Sequence, residues 1–466
     1  MKKYDAIIIG TGQAGVPLAA KFDKEGKTVA IIEKDKLGGT CVNDGCTPTK
    51  SYVAAARRAY IAKSSQDFGV QTGDVKIDLK KIKHRKDKMV KDSQSNIQKM
   101  FDGLKSLDFY EGEGSFVSEN TIKIIDKDGK TQQIEGKQIF INVGAKIIIP
   151  KEYEGLDFLT NTSILELEEI PKYLIILGAG YIGLEFGQMF ARFGSKVTIL
   201  EQSERFLKKE DQDVAQAIKE TLEKEGITFH INLKNIQVEQ EKGKTKVTFE
   251  KNGEKQEVQG TDILISVGRK PNTENLNLEN IGIKTDENGY IKVNQHFQTN
   301  KEHIFALGDC NGKGAFTHTA FNDFEIVRDL LFGEKKRKLS DRIPCYAMFI
   351  DPPLSRIGIN EEQAKEKMKE DTSLKILKGF RPMKKVARAT EMGETDGMMK
   401  VLIDKKTEKI LGATFFGVSA DETIHGIIDI MYAEKSYKTI RDAVHIHPTV
   451  SELIPTMLAS LEDFEK

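Results

Sequence analysis

Several things are scarce in this 466-residue chain, and each scarcity excludes something. Its charges cancel, 71 Lys+Arg against 71 Asp+Glu, so it offers no field of one sign to nucleic acid or to an anionic membrane surface. No apolar run approaches the roughly 18 residues needed to cross a bilayer. The first strand signal begins at Tyr4 or Asp5, leaving no room for a secretory leader. There are four cysteines, and Cys310 and Cys345 stand apart from each other and from the remaining pair. That is not the framework of a secreted disulfide scaffold, and it suits a reducing cytosol. A soluble cytoplasmic protein without membrane or nucleic-acid partners is expected. The length exceeds what one hydrophobic core organises, so two to four domains should be present.

The most informative segment is Cys41-Val42-Asn43-Asp44-Gly45-Cys46, framed by Gly38-Gly39-Thr40 and Thr47-Pro48-Thr49-Lys50. Five helical steps would separate the two Cα atoms by about 7.5 Å, beyond the roughly 7 Å that a disulfide spans. A bridge here needs a non-helical turn, and Gly38, Gly39 and Gly45 supply loose backbone for one. Thr47-Pro48 reads as N-cap and first residue of an Ala-rich helix through Val53, Ala54, Ala55 and Ala56. The positive end of that helix would lie beside Cys46 and favour its thiolate. The pattern points to a redox pair; the plain alternative is a structural disulfide or two unrelated thiols.

Two nucleotide signatures flank this pair. Tyr4 to Ile9 is a short apolar strand, followed by Gly10-Thr11-Gly12-Gln13-Ala14-Gly15, a helix through about Glu25, and a strand from Thr28 to Glu33. Gly10 allows the tight turn, Gly12 lets the backbone approach a pyrophosphate, Gly15 lets helix and strand pack closely, and Glu33 can accept ribose hydroxyls. The phosphate would sit on the helix N-terminus. The plan recurs at Tyr173 to Leu177, Gly178-Ala179-Gly180-Tyr181-Ile182-Gly183 and a strand Lys196 to Leu200 ending in Glu201, with the acidic residue at the same distance from the first glycine. Two dinucleotides are implied. The cysteines belong to the first unit and need an electron donor in contact with them, best read as the flavin of FAD. The second unit would then bind a nicotinamide, NAD(P)H. Glu201 would repel a 2′-phosphate and favour NADH over NADPH, a preference that Arg205, Lys208 and Lys209 just beyond it oppose.

With these residues the chain resembles the pyridine nucleotide-disulfide oxidoreductases, FAD flavoproteins that include dihydrolipoamide dehydrogenase, glutathione reductase and mercuric reductase. Further motifs carry the likeness over essentially the whole length. Gly268-Arg269-Lys270-Pro271-Asn272 and the run from Thr299 to Asp309 resemble the family's second FAD segment, Tyr346 through Asp351-Pro352-Pro353 the start of its dimer domain, and His445-Ile446-His447-Pro448-Thr449-Val450-Ser451-Glu452 its catalytic tail. The resemblance implies an α/β fold of two Rossmann-like domains, for FAD and NAD(P), plus a C-terminal α+β dimerisation domain. Residues 1–150 and 270–338 would form the FAD domain, 151–269 the NAD(P) domain and 339–466 the interface domain.

The same resemblance implies roles. Cys41 would be the interchange thiol and Cys46 the charge-transfer thiolate against the flavin. Lys50 would approach flavin N5 and pair with Glu185, unless the two form an ordinary surface ion pair. Asp309 would hold the ribityl chain. Tyr181 would be an aromatic lid over the nicotinamide pocket, or else a packing residue. His447 would be the acid-base group, acting across a two-fold dimer interface with Glu452 orienting its ring, although Thr449 to Glu452 also fits a capping box. His318 would lie near the flavin's pyrimidine edge, or else serve as a cap-region histidine; His445 would point elsewhere.

The chain departs from better-known members at Asp44, usually apolar, and at Asn142-Val143-Gly144, where Ala-Thr-Gly is usual. It lacks the vicinal C-terminal cysteines of mercuric reductase and retains His447, which argues for disulfide rather than mercury chemistry. The expected function is an NAD(P)H:disulfide oxidoreductase of the dihydrolipoamide dehydrogenase type, a homodimer acting on a small disulfide or dithiol. A flavin-based reductase of metal ions or quinones is the rival, and a structural subunit of a 2-oxo-acid dehydrogenase complex a third reading. Elsewhere, apolar residues at helical spacing from Leu79 to Leu104, with a basic cluster Lys80 to Lys88, predict a long amphipathic helix with a solvated face. Asn311 to Ala315 reads as a loop. Ser419-Ala420-Asp421-Glu422 predicts a capped helix running to about Lys435.

Overall fold

The computed structural model describes residues 1–241, 243–333 and 337–465. The strand Lys2–Ile9 lies parallel between Val29–Glu33 and Thr131–Ile141, with Leu107–Glu111 beyond the first and Ile304–Ala306 joining the second. Glu113–Phe116 and Thr121–Ile125 complete this seven-stranded sheet in antiparallel register. Ala6, Ile7 and Ile8 are fully buried, as a central parallel strand covered on both faces requires. The return of Ile304–Ala306 brings the chain after the second unit back beside the first sheet, on Ile139–Ile141.

The second unit repeats the plan in a four-stranded parallel sheet, ordered Thr228–His230, Lys196–Leu200, Tyr173–Leu177, Asp262–Ile265. A three-stranded antiparallel sheet spans Lys234–Glu241, Lys244–Lys251 and Glu254–Gly260. Cys345–Met348, Leu354–Gly358, Ile410–Phe416, Met398–Asp404, Ile376–Pro382 and Glu462–Asp463 form a six-stranded antiparallel sheet at the C-terminus. The chain is therefore an α/β molecule with one mostly parallel and one fully parallel sheet, each opening on a glycine-rich turn, and a C-terminal α+β portion.

One hydrophobic cluster joins the pieces. Tyr52 and Ala56 of the helix Cys46–Ser64 pack with Leu184, Phe186 and Phe190 of the helix Tyr181–Phe193 and with Met348 and Leu354 of the C-terminal sheet. Behind them runs an ion-pair network. Asp351 accepts from Arg57 at 2.5 Å and from Arg192 at 2.6 Å, Arg192 also grips Glu225, and Arg57 reaches Glu394. Both helices are thus held by one carboxylate, and burial of such pairs makes their breakage costly.

Local expectations fared unevenly. The long amphipathic helix is present as Leu79–Gly103, N-capped by Asp78, which accepts from Lys81 N. The cysteine helix begins at Cys46, with Gly45 at the N-cap and no side-chain cap bond, so Thr47 is inside the first turn rather than its cap. Ser419 makes no cap bond either; it sits at φ 58°, and the expected single helix is broken into Ala420–Thr423 and His425–Tyr432. The segment read as a loop from Asn311 begins within a short 3-10 turn, Gly308–Asn311.

Candidate active site

The cysteine turn shows why the six-residue spacing works. A short helix, Gly39–Asn43, carries Cys41 and ends at Asp44; the next starts at Cys46. An added Cβ at Gly45 would lie 2.8 Å from Thr40 O, so the chain reverses where only glycine fits. Cys41 and Cys46 are unbridged thiols joined by a hydrogen bond. That bond, with the hydroxyl of Thr317 at 3.2 Å from Cys46 Sγ and the charge of Lys50, draws the Cys46 thiol down to about 6. Donation to Cys46 and burial push Cys41 the other way. The pair is therefore polarised: one thiolate poised, one thiol protonated.

Lys50 Nζ contacts Glu185 Oε2 at 2.6 Å and lies 4.6 Å from the centre of the Phe349 ring. Glu185 Oε1 accepts from Phe349 N at 2.8 Å. With side-chain exposures of 33% and 9%, this is a partly buried pair locked from three segments, not the ordinary surface pair that was the alternative. Both residues line one cavity of about 950 Å³ that also reaches Gly12, Cys46, Asp309 and Tyr181.

The glycine signatures take their expected positions at the strand-to-helix turns. Gly10 and Gly178 have φ of 105° and 98°. An added Cβ at Gly15 would fall 2.3 Å from Gly10 O, and at Gly183 2.2 Å from Gly178 O, so both are packing glycines. Gly12 faces Asn142, whose Oδ1 would be 2.7 Å from an added Cβ, whereas at Gly180 nothing lies within 4 Å. Gly180 has an ordinary φ and open space beside it at the start of a helix, whose N-terminus is the kind of position that attracts an anion. Glu33 accepts from Thr11 N and Oγ1 through Oε2 and from Lys34 N and Asp35 N through Oε1. Glu201 accepts from Ala179 N and Ser203 N. Asp309 lines the cavity, with burial raising its carboxyl and Arg269 opposing that rise. Gly268, at φ 136°, leads into Arg269–Pro271, which pairs with Ala145–Ile147.

His318 Nε2 donates to Cys345 O at 2.8 Å, and its ring stacks on Phe316. Tyr181 stacks on Phe316 and donates to Glu210. The tail residues are elsewhere. His447 Nδ1 donates to Glu452 at 2.9 Å, which gives Glu452 the ring-orienting contact; no side-chain cap bond is made at the following helical turn. His447 is 74% exposed and lies in a separate cleft with His445 and Arg381, not in the cysteine cavity. Within one chain the structure brings together the cysteines, Lys50, Glu185, Asp309, His318, Tyr181 and the first glycine turn around one cavity, and leaves His447 and Glu452 apart.

Two contributors carried no signal in the sequence. Thr317 reaches Cys46 from 271 residues away. Asn142, noted only as a departure, accepts from Gly15 N at 2.9 Å and donates to Leu307 O at 2.9 Å, tying the first signature to the second segment.

Residues 4–323 match the pyridine nucleotide-disulphide oxidoreductase family and residues 345–458 its dimerisation domain. The chain is 36% identical over 460 residues to the "Probable pyridine nucleotide-disulfide oxidoreductase RclA" of Escherichia coli (strain K12), covering 97% of this chain and 98% of that protein. It is 35% identical to the mercuric reductase of Staphylococcus aureus, covering 91% and 76% of the two, and 32% identical to the dihydrolipoyl dehydrogenase of Geobacillus stearothermophilus, covering 96% and 94%. A solved Cu(II) complex of the HOCl-induced flavoprotein disulfide reductase RclA from Escherichia coli superimposes with a TM-score of 0.88 at 33% identity, over 98% of this chain and 99% of that one. Among the described residues no helix is long and apolar enough to cross a membrane. The chain belongs to the pyridine nucleotide-disulphide oxidoreductases, enzymes that bind FAD and use NAD(P)H.

Proposed function

We propose that this enzyme is an NAD(P)H:disulfide oxidoreductase of the dihydrolipoamide dehydrogenase type, exchanging electrons with a small disulfide or dithiol through Cys41 and Cys46. The observation that carries the reading is the polarised pair, with Cys46 drawn down to about 6 in a cavity lined also by Gly10 and Gly12 of the first glycine turn and by Tyr181 and Ile182 of the second signature. The residues present fit FAD: Gly10, Gly12 and Gly15 offer a helix N-terminus, Glu33 stands at its strand end, and Asp309 borders the cavity with no side-chain hydrogen bond to another described residue. The chemistry that FAD supplies when bound is two-electron exchange between nicotinamide and dithiol.

The chain's own residues account for the rest. Cys41, once deprotonated, attacks one sulfur of the substrate disulfide and releases one thiolate. Cys46 then attacks Cys41 Sγ, forming the Cys41–Cys46 bond and releasing the second thiolate. Lys50 holds positive charge beside Cys46, and Glu185 fixes Lys50. Departing thiolates need protons. His447, whose Nδ1 is committed to Glu452, has Nε2 free to carry them. Because His447 is apart from the cysteines within one chain, the site is completed in a homodimer by the partner subunit's His447. We place the domain boundaries at residues 150, 269 and 338, and the protein in the cytoplasm, where reductants keep such a pair cycling. Glu201 favours NADH; Arg205, the first of the three cations that follow it in the chain, is engaged by Glu362 and by Glu210 O. Cys41→Ser protein that kept full turnover on lipoamide, glutathione disulfide and other small disulfides would end this reading.

A second reading is supported by the same open dithiol together with the relatives named mercuric reductase and the solved Cu(II) complex: a metal ion taken by the two sulfurs as substrate. Replacing His447 by Ala separates the two. Loss of turnover supports disulfide chemistry, and retention supports metal-ion reduction.

A further inference from the structure

Tyr181 is the first residue of the helix that follows the second glycine turn. Its ring lies on Phe316, which adjoins the Thr317 that bonds Cys46. The side chain therefore sits at the N-terminus of the second unit's helix and lines the same cavity as Cys41 and Cys46. What holds it there is a buried carboxylate. Glu210 is 1% exposed, and its Oε1 accepts from Tyr181 at 2.9 Å and from Tyr346 at 2.6 Å. Glu210 Oε2 makes no hydrogen bond, and Arg356 is its nearest cation at 3.5 Å. Arg356 also donates to the Tyr346 hydroxyl at 3.1 Å and to Lys209 O at 2.8 Å.

We propose that Glu210 is a latch holding Tyr181 closed over the nicotinamide site, and that Tyr346 and Arg356, from the C-terminal portion, are positioning residues that allow the latch to open. This rests on reading the second glycine unit as the nicotinamide site. A buried carboxylate left without donors is costly. When Tyr181 swings away, Tyr346 remains on Oε1 and Arg356 on the other side, so the charge keeps partners in both positions. Tyr181 is the one donor the carboxylate can lose. The two hydroxyls consequently have opposite effects on the lid. Removing Tyr181's hydroxyl frees the lid. Removing Tyr346's leaves Glu210 dependent on Tyr181 and holds the lid shut. A ligand must work against whatever fraction of the protein is closed.

The test is calorimetric binding of NAD⁺ and of ADP-ribose to the oxidised holoenzyme, wild type, Tyr181→Phe and Tyr346→Phe, with melting temperatures as a folding control. ADP-ribose fills the second unit without needing the lid to move. Tyr181→Phe is expected to tighten NAD⁺ by about tenfold or more and Tyr346→Phe to weaken it by a similar factor, the range set by one hydrogen bond to a charged group, with ADP-ribose unchanged in both. The double variant should follow Tyr181→Phe. NAD⁺ affinities that move in the same direction in the two variants, or that track ADP-ribose, overturn the latch. Failure of wild-type holoenzyme to bind ADP-ribose overturns instead the nicotinamide reading on which the latch depends.

Discussion

The two nucleotide-binding units follow one backbone plan and differ at the middle glycine. In both, the first glycine has a positive φ and the third has its missing Cβ against the carbonyl of the first, at 2.3 and 2.2 Å. In the first unit the middle glycine is also hemmed in, by Asn142 Oδ1 at 2.7 Å, whereas Gly180 faces open space. Two of three glycines are thus demanded by the fold in each unit. The middle glycine is demanded by the protein at Gly12, whereas at Gly180 no described residue demands it, which leaves the ligand proposed for that turn as its reason. A fingerprint that looks uniform in sequence is a mixture of structural and functional requirements.

The comparison can be broken first at the packing glycines. Gly15→Ala and Gly183→Ala each push a methyl into backbone that cannot retreat, so each should destabilise by at least about 3 kcal/mol or prevent folding, read by denaturant unfolding. Either variant remaining within about 1 kcal/mol of wild type would show that the close approach is not rigid. The middle glycines sharpen the contrast. Gly180→Ala should melt within about 0.5 kcal/mol of wild type yet bind NADH at least about tenfold more weakly, while Gly12→Ala should lose bound flavin and stability together.

A third comparison sets the two units' cargo side by side. Only the first carries the close pair Cys41 and Cys46, and the second reaches that pair through Glu185 and Lys50. In the reduced protein, alkylation of Cys46 should rise through a midpoint near pH 6, since its depressed value makes the thiolate dominant above that pH and protonates it below. Lys50→Met removes a charge that favours the thiolate, so the midpoint should move up by about one unit. A midpoint at the ordinary thiol value in wild type would contradict the polarised pair.

Legibility followed distance along the chain. The glycine turns, the strand after each and the cysteine pair are local patterns, so the sequence shows them almost to the residue. The helix after the cysteines was visible but its start was displaced, because Thr47-Pro48 is a good cap signal overridden by the reversal at Gly45. The break at Ile424 was hidden for the same kind of reason: Ser419 is a fine cap residue held at positive φ by its surroundings. What could not be seen were contacts made across hundreds of residues: Thr317 on Cys46, Asn142 on Leu307, Tyr346 on Glu210, and Asp351 between Arg57 and Arg192. Each joins polar groups common in any loop or helix, and only the packed core selects the pair.

The most direct test of the account counts thiols in the denatured holoenzyme, before and after anaerobic reduction by NADH with acid quenching. With four cysteines in the chain, air-oxidised protein should show two reactive thiols, Cys310 and Cys345, and NADH-treated protein all four. An unchanged count after NADH, with the nucleotide demonstrably oxidised, would contradict the claim that Cys41 and Cys46 receive its electrons.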